Sequence, residues 1–337
     1  MPHRVASPSL PQRERKLEGE GIVPLLDHLA ADRPDEHEWR GWRVARVGGG
    51  MNNLVYRATQ GEHDLAIKWT IRDERDRVGR EYAALAALRE AGLEIAPAPL
   101  LIERDRYPQP VVVQSWLAGK VAAAPPRDDA EWERFLEHHL AIHALAPGHV
   151  ALPIRPAVLN MSSAAEGVAL VRQEIARLPE ASRPAQLRDL ARRLDRAALP
   201  DWNALAPTLC RVDPNILNFV RRPGAWASVD WENSGWGDPA FEIADTIAHP
   251  SYAGVPAHRW EWLVDAYCAR RGDPGAAERI RVYHALMLLW WVARFARLLY
   301  EAPRGGDRRL AARPDGWLDD TRAKYDRYLA LAQAARL

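Results

Sequence analysis

The sequence is poor in cysteine and has no long apolar run. Two cysteines, Cys210 and Cys268, are too few for the disulfide framework of small secreted domains and are typical of a reducing compartment. The most apolar stretch, residues 285–293, is closed by Arg294 and Arg297 and falls far short of the roughly 20 residues that a membrane span needs. The first part of the chain has no apolar segment of signal-peptide length. These absences predict a cytoplasmic protein with no membrane partner.

The sequence also lacks an excess of charge of either sign. It has 46 basic and 45 acidic residues, which gives a formal net charge of +1 over 337 residues. A chain with so little net charge has no overall electrostatic field to hold it on nucleic acid. A charged partner must therefore be recognised by a local site. Phenylalanine is scarce, with 4 residues against 14 tryptophans, so indole rings must supply much of the aromatic surface of a core or a pocket.

Strand and helix signals divide the chain into unlike halves. Residues 1–35 are polar and contain prolines, and we treat them as an extension in which residues 22–30 are amphipathic. Residues 36–119 hold short strand-like runs between glycine turns, with a further strand at residues 111–116. Residues 120–337 are mostly helical, with a β-rich island at residues 209–230. The predicted helices cover residues 73–91, 129–145, 164–178, 183–197, 256–271, 276–300 and 314–335.

This order predicts a two-lobed α+β fold, with a small β-rich N-lobe to residue 119 and a larger helical C-lobe after it. A ligand site is expected between the lobes.

A glycine-rich turn, residues 48–53 (GGGMNN), separates the first two strands of the N-lobe. Glycines let backbone N–H groups approach phosphate oxygens, because no Cβ atom stands in the way. Taken alone, the simpler interpretation is an ordinary hairpin turn.

A lysine, Lys68, lies on the strand that follows this turn, and Glu81 lies on the next helix. A lysine in that place can reach the phosphates of a nucleotide, and a carboxylate on the helix can hold it there. The alternative is a solvated strand lysine and a surface glutamate, which is the commoner outcome for either residue alone.

The most specific pattern is an Asp, Asn and Asp set in the C-lobe. Asp213 precedes Asn218 by five residues, and Asp230 ends a strand twelve residues later. In phosphoryl transfer the first residue can orient a hydroxyl and accept its proton, while the other two can bind Mg²⁺. The alternative is that all three are turn and strand-end residues.

Together these motifs resemble the aminoglycoside phosphotransferase and choline kinase family, whose members are relatives of the protein kinases. The matching segments are residues 49–53 (GGMNN), Lys68, residues 80–82 (REY), 114–119 (QSWLAG), 211–218 (RVDPNILN), 229–232 (VDWE) and 237–245 (GDPAFEIAD). Their order and spacing agree with the family from about residue 40 to residue 250.

The resemblance implies a protein-kinase-like fold and the transfer of the γ-phosphate of ATP or GTP, as a Mg²⁺ complex, to a hydroxyl of a small molecule. It implies Asp213 as the catalytic base, and Asn218 and Asp230 as the metal ligands. The implied nucleotide-binding residues are Gly49, Gly50, Asn52 and Asn53 over the phosphates, Lys68 with Glu81 beside them, and Ser115 and Leu117 in a hinge against the base.

The sequence departs from the family at Arg211 and Val212, where His and Gly are usual. In the family the histidine hydrogen-bonds nearby backbone, and an arginine can donate similar bonds. An alternative is therefore a nucleotide-binding pseudokinase with a regulatory or scaffolding role. A protein kinase is disfavoured, because the segment between Asp230 and the GDPA run is too short to dock a peptide. We assign Asp238 to helix capping, with Pro239 as the first helical residue.

The acceptor is expected to carry a positive amine, since the family builds its acceptor wall from the segment after Asp230. That segment supplies carboxylates and indole rings, which bind ammonium by charge pairing and cation–π contact: Glu232, Glu242, Asp245, Glu261, Asp265, Trp231, Trp236, Trp260 and Trp262. The alternative is solvated carboxylates and core tryptophans.

Overall fold

The computed structural model describes residues 21–33, 35–47, 53–202, 205–305 and 313–336. The helices are α1 (Ile22–Asp32), α2 (Arg77–Glu90), α3 (Asp129–His143), α4 (Ala164–Ala176), α5 (Ala185–Arg196), α6 (Pro239–Ala248), α7 (Ala257–Arg271), α8 (Ala276–Glu301) and α9 (Trp317–Ala334). The strands are β1 (Glu36–Trp39), β2 (Trp42–Val47), β3 (Asn53–Gln60), β4 (His63–Thr70), β5 (Pro99–Glu103), β6 (Val111–Ser115), β7 (Lys120–Val121), β8 (Thr208–Cys210), β9 (Phe219–Arg222), β10 (Ala225–Ser228) and β11 (Gly235–Gly237).

The N-lobe is built on one antiparallel sheet in the order β1-β2-β3-β4-β6-β5. The β2, β3 and β4 hairpins follow one another along the chain and confirm the predicted meander. Strand β5 was not predicted, because prolines break its sequence pattern. It lies at the edge of the sheet, where the missing N–H of Pro99 costs no interior ladder bond.

Two helices pack on this lobe. Helix α2 begins at Arg77, four residues later than predicted, because Asp76 adopts a left-handed backbone with φ of 53°. Helix α1 covers the sheet with Leu25, Leu26 and Leu29, all buried against the core of the lobe. The amphipathic pattern of the extension therefore reflects packing onto the sheet.

The C-lobe is helical, as predicted, and α8 lies at its centre against α4, α6 and α9. By length and composition α8 could cross a membrane, but 67% of its most apolar window is buried inside the protein. Leu286 and Met287 are fully buried. The helix therefore has the burial of a core helix, and the predicted two-lobed α+β architecture is confirmed.

The lobes meet at an apolar junction and at a short linker. Leu85 and Leu88 of α2 pack with Leu209 and Trp231 of the C-lobe. In the linker, Gly119 has φ of 149°, and a Cβ there would lie 2.5 Å from Val220 and 2.7 Å from the carbonyl of residue 221. This residue must therefore be glycine for the linker to pass so close to β9.

Candidate active site

A cleft of about 410 Å³ lies between the lobes. From above it is lined by the sheet residues Val47, Val55, Ala66 and Lys68, from below by Leu217, Asn218, Val220, Val229 and Asp230, and at the rim by the linker residues 115–117 and Gly119. Cross-strand pairing places Val47, Val55 and Lys68 side by side on one face of the sheet. An apolar slot therefore ends in charged groups.

Those charged groups are centred on Lys68. Its ammonium donates to Glu81 Oε2 at 2.7 Å, also contacts the Asp230 carboxylate, and lies 3.2 Å from Glu232 Oε2. Lys68 comes from β4, Glu81 from α2, and both acidic residues of the C-lobe from the segment after β10. The pairing of Lys68 with Glu81 is the one expected from the sequence, whereas the contact of Lys68 with Asp230 was not predicted.

Glu232 is held by two further N-lobe residues. Arg77 of α2 donates to Glu232 and, through Nε, to Asp73 at 2.9 Å. Asn53 donates its side-chain amide to Glu232 Oε2 at 2.8 Å. Sequence reasoning placed Glu232 in the acceptor wall and gave Arg77 no role. The signal for Arg77 was its spacing, because residues four apart share one face of a helix and Arg77 is four residues before Glu81.

Burial and pairing pull the pKa values of this cluster in opposite directions. Burial alone would lower the pKa of Lys68, but Asp230, Glu81 and Glu232 outweigh it and raise that pKa well above the usual value. Burial raises the pKa of Glu81 to about 7, against the effect of the Lys68 ammonium. The cluster therefore keeps a permanent positive charge on Lys68 among carboxylates.

The loop that joins β8 to β9, which the sequence predicts to be the catalytic loop, carries Asp213 and Asn218. The Asp213 carboxylate accepts the backbone N–H of Asn215 at 3.2 Å. Burial, followed by the charge of Asp230, raises the pKa of Asp213 to about 6. Asn218 ends the short helical turn of the loop, and its carbonyl accepts the N–H of Val229 at 2.9 Å, next to Asp230. The loop thus holds Asp213, Asn218 and Asp230 in one region.

Two residues of this region have a left-handed backbone. Val212 has φ of 54° and Asp230 has φ of 63°. This conformation is uncommon for any residue except glycine and is a marked outlier for a β-branched one. Such strain persists where the surrounding contacts fix the backbone, and it concentrates at functional sites.

Of the predicted nucleotide-binding residues, Asn53, Lys68, Glu81, Ser115 and Leu117 all line the cleft, together with Asn218 and Asp230. The cleft thus brings together residues as distant in sequence as Asn53 and Asp230. Gly49, Gly50 and Asn52 lie outside the described residues.

A family model described as the phosphotransferase enzyme family matches residues 43–289, which is more than half of the chain. The chain belongs to this phosphotransferase family. It is a small-molecule phosphotransferase that acts on hydroxyl groups. None of the curated proteins matches the sequence.

Solved structures show the fold of this phosphotransferase. A choline/ethanolamine kinase family protein from Mesorhizobium loti is 23% identical, with a TM-score of 0.55 over 96% of this chain and 98% of that one. The choline kinase of Cryptosporidium parvum is 10% identical, with a TM-score of 0.62 over 93% and 95%. A spectinomycin phosphotransferase solved with ADP and spectinomycin is 11% identical, with a TM-score of 0.60 over 93% and 98%. At these identities the likeness concerns the fold alone.

The phosphotransferase departs from the family at Arg211, and the structure shows how the arginine is accommodated. Its side chain is fully buried, and its guanidinium lies 4.5 Å from the centre of the Phe219 ring. Within the described ranges, none of the three guanidinium nitrogens has a hydrogen-bond partner. The side chain therefore does not donate the backbone bonds expected from the sequence. The backbone N–H of Arg211 donates instead to Glu242 Oε2 at 3.0 Å.

Glu242 belongs to a buried network beneath the catalytic loop. His143 of α3 binds Glu242 Oε2 through Nε2 at 3.0 Å and the Tyr267 hydroxyl through Nδ1 at 2.9 Å. Burial would raise the pKa of Glu242, but His143 and its neighbours lower it to about 2. Glu242 is therefore an ionised anchor of the loop and is not free for an acceptor.

The other carboxylates proposed for an acceptor wall differ in position. Asp245 is buried on α6, and burial, with help from Asp213 and Glu242, raises its pKa to about 8. Glu261 and Asp265 are exposed on α7. Burial therefore separates Asp245 from the two exposed carboxylates of the set.

The tryptophans of the same set are mainly structural. Trp231 is fully buried and donates to the Ser228 carbonyl at 3.1 Å, and Trp260 stacks edge-on against Trp132. Asp238 has the predicted capping role, because its Oδ1 accepts the N–H of Ala240 at 2.9 Å and Pro239 begins α6.

Proposed function

We propose that this phosphotransferase moves the γ-phosphate of ATP or GTP, bound as its Mg²⁺ complex, to a hydroxyl group of a small acceptor. The observation that carries the proposal is the contact of Lys68 with Glu81 and Asp230 in a cleft that also holds the linker and Asn218. This arrangement supplies a positive group for phosphates, oxygen ligands for a metal and an apolar slot for a base.

The nucleotide base fits the apolar part of the cleft. Val55 and Ala66 form its upper wall, Leu217 and Val220 its lower wall, and Ser115–Leu117 its edge. The backbone of that edge can hydrogen-bond the base while the walls exclude water. Lys68 would then meet the phosphates by exchanging its contact with Asp230 for contacts with phosphate oxygens.

The residues present fit Mg²⁺. Asn218 and Asp230 offer amide and carboxylate oxygens, the ligands that this ion prefers. The ligand oxygens of Glu81, Asp230 and Glu232 all lie within 4.8 Å of one another, so the site carries negative charge for a divalent cation to balance. When bound, the ion neutralises charge on the phosphate oxygens.

Asp213 is the proposed base for the acceptor hydroxyl. Its carboxylate would accept a hydrogen bond from the attacking hydroxyl and take up the proton as the phosphate transfers. A pKa of about 6 leaves Asp213 mostly ionised at neutral pH, yet a better proton acceptor than an ordinary aspartate.

The test is a screen for acceptor-dependent nucleotide consumption. The purified protein would be incubated with MgATP or MgGTP and with amino sugars, amino alcohols, macrolides and amino acids, and phosphorylated products would be identified by mass. We expect one class to release ADP or GDP in step with product. Tight nucleotide binding without turnover across the screen would contradict the proposal and favour a regulatory pseudokinase.

We further propose that the acceptor carries a positive amine. Of the carboxylates after Asp230, Glu261 and Asp265 are exposed, and they lie on α7 with Trp260 and Trp262. Exposed carboxylates and indole rings are suited to binding an ammonium group. Amines of graded size, tested at low and high salt, should inhibit turnover. Turnover of neutral hydroxyl compounds with no inhibition by amines would contradict this extension.

A further inference from the structure

Residues from three N-lobe elements contact one carboxylate of the C-lobe, that of Glu232. Glu232 is 4% exposed and lies two residues after Asp230. It receives the guanidinium of Arg77 from α2 and the amide of Asn53 from β3, and the ammonium of Lys68 from β4 lies 3.2 Å away. Arg77 is itself 5% exposed. A buried carboxylate that is shared in this way is costly to leave unpaired.

The charges around Lys68 explain why a second cation is needed. Glu81, Asp230 and Glu232 all act on the single ammonium of Lys68. If Lys68 moves onto phosphates, as the proposed function requires, Glu232 would lose a counterion within the phosphate site. Arg77 remains on Glu232 through a contact that does not involve the nucleotide, and Asp73 fixes the other edge of its guanidinium.

We propose that Arg77 is a positioning residue of the nucleotide site, which holds and neutralises Glu232 so that Lys68 is free to pass from Asp230 to the phosphates. The inference rests on the proposed function, because it assigns Arg77 a part in phosphate binding. Arg77 acts through Glu232 and touches no reacting atom.

The same contact supports the backbone of Asp230. This residue has φ of 63°, a conformation that its surroundings must maintain. On the C-lobe side the segment is held by the bonds Val229 N–H to Asn218 O and Ser234 N–H to Trp231 O. On the N-lobe side it is held by Arg77 through Glu232, and by Arg80, which donates to the Ser234 carbonyl at 3.2 Å.

The experiment compares a nucleotide with its nucleoside. Dissociation constants for ATP and adenosine, or for GTP and guanosine if the wild type prefers them, would be measured by calorimetry in EDTA and again in Mg²⁺. The ratio of nucleoside to nucleotide constants reports the phosphate contribution alone. We expect Arg77→Ala to reduce that ratio about tenfold or more in EDTA, since Glu232 would then face the phosphates unpaired, while the nucleoside constant changes little.

Two further variants make the test specific. Arg77→Ala combined with Glu232→Gln should restore the ratio to within about threefold of that of Glu232→Gln alone, because no charge is then left unpaired. The matched control is Arg104→Ala, which breaks an exposed N-lobe ion pair with Asp76 that does not reach the C-lobe. It should leave both constants unchanged. If Arg77→Ala does not fold, Arg77→Lys and the double variant carry the comparison.

The outcomes separate the two proposals. A wild type that binds neither ATP nor GTP overturns the proposed function and this inference with it. A wild type that binds nucleotide, beside an Arg77→Ala variant with an unchanged ratio, overturns the inference alone. Equal weakening of nucleotide and nucleoside would also overturn it, because that pattern indicates a general structural role.

Discussion

Buried charged groups are paired on one side of the active site and lack such pairing on the other. On the side proposed to bind the nucleotide, hereafter the nucleotide side, Lys68 and Arg77 are matched by Glu81, Asp230 and Glu232 at contact distance. On the catalytic-loop side, Arg211 makes no hydrogen bond through its guanidinium within the described residues, and burial raises the pKa of both Asp213 and Asp245. The first side is organised for binding. On the second side, burial and the charge of Asp230 raise the pKa of Asp213 against the effect of Arg211, which makes Asp213 a stronger base.

The largest expected effect is on turnover, and it concerns both sides. Asp213→Ala and Asp230→Ala should each reduce transfer below detection, at least about 1,000-fold or roughly 4 kcal/mol of barrier. Thermal melts should stay near or above that of the wild type. Acceptor-dependent ADP release would measure the loss, and more than about a tenth of wild-type turnover in either variant would remove that residue from the proposed mechanism.

The next effect concerns stability on the nucleotide side. Lys68→Met leaves Glu81, Asp230 and Glu232 without their shared ammonium, and we expect the free energy of unfolding to fall by about 3–5 kcal/mol. Urea unfolding would measure it. Lys324→Met is the matched control, since it breaks an exposed pair with Asp320 and should cost about 0.5 kcal/mol. Equal losses in the two variants would mean that the buried pairing contributes little.

On the catalytic-loop side, we expect a substitution to raise the free energy of unfolding. The folded pKa of Asp245 is raised to about 8 by burial, from an ordinary value of 3.8. Asp245 therefore contributes to the free energy of unfolding, and this contribution is fully present below about pH 4 and is lost as pH rises towards 8. Asp245→Asn should therefore gain stability over the wild type as pH rises, by about 4 kcal/mol between pH 5 and pH 8, since each unit is worth about 1.36 kcal/mol while only the folded state holds the proton.

Melting curves between pH 5 and pH 8 would test this. Asp326→Asn, at an exposed position of α9, is the control and should follow the wild type. A constant difference between Asp245→Asn and the wild type over the whole range would contradict the assignment.

A smaller effect is expected at Arg211. Its guanidinium donates no hydrogen bond in the described part of the chain, so Arg211→His breaks none. Turnover should stay within about tenfold of the wild type, equivalent to about 1.4 kcal/mol. Complete loss of turnover in a folded variant would give the guanidinium a direct role that its position over Phe219 does not suggest.

The smallest effect compares two valines that are both 4% exposed, Val212 and Val220. Val220→Ala should cost about 2 kcal/mol through lost burial. Val212→Ala should cost about 1 kcal/mol less, because alanine adopts the left-handed backbone of that position with less crowding than a β-branched residue. Denaturant midpoints would decide, and equal costs would mean that the backbone of Val212 stores little strain.

The paired side was largely predictable from sequence. Lys68, Glu81 and Asp230 each follow a local signal, a glycine turn, a helix or a strand end, and their order along the chain suggested their joint role. Arg77 and Glu232 were not found as a pair, since an ion pair between residues 77 and 232 leaves no local periodicity. Strand β5 was missed for a related reason, because its edge position makes Pro99 acceptable and only the sheet order shows that position.

The unpaired side was less predictable. Arg211 was expected to hydrogen-bond backbone, yet it packs over Phe219. The five carboxylates after Asp230 looked alike in sequence, whereas burial separates the anchored Glu242 from Asp245 and from the exposed Glu261. Hydrogen bonding and desolvation in the core depend on contacts between distant segments, so composition and spacing could not rank these residues.

The pairing of β7 with β9 bears on how the protein forms during synthesis. Lys120 pairs with Arg221, whereas the strands β1 to β4 pair with near neighbours in sequence. At about 5–20 residues per second, roughly 5–20 s of translation separate the two partners of that distant pair. We infer that the N-terminal sheet assembles on the ribosome well before Asp230 emerges. Until then the ammonium of Lys68 has Glu81 as its partner, and closure of the cleft is a late event in the life of the nascent chain.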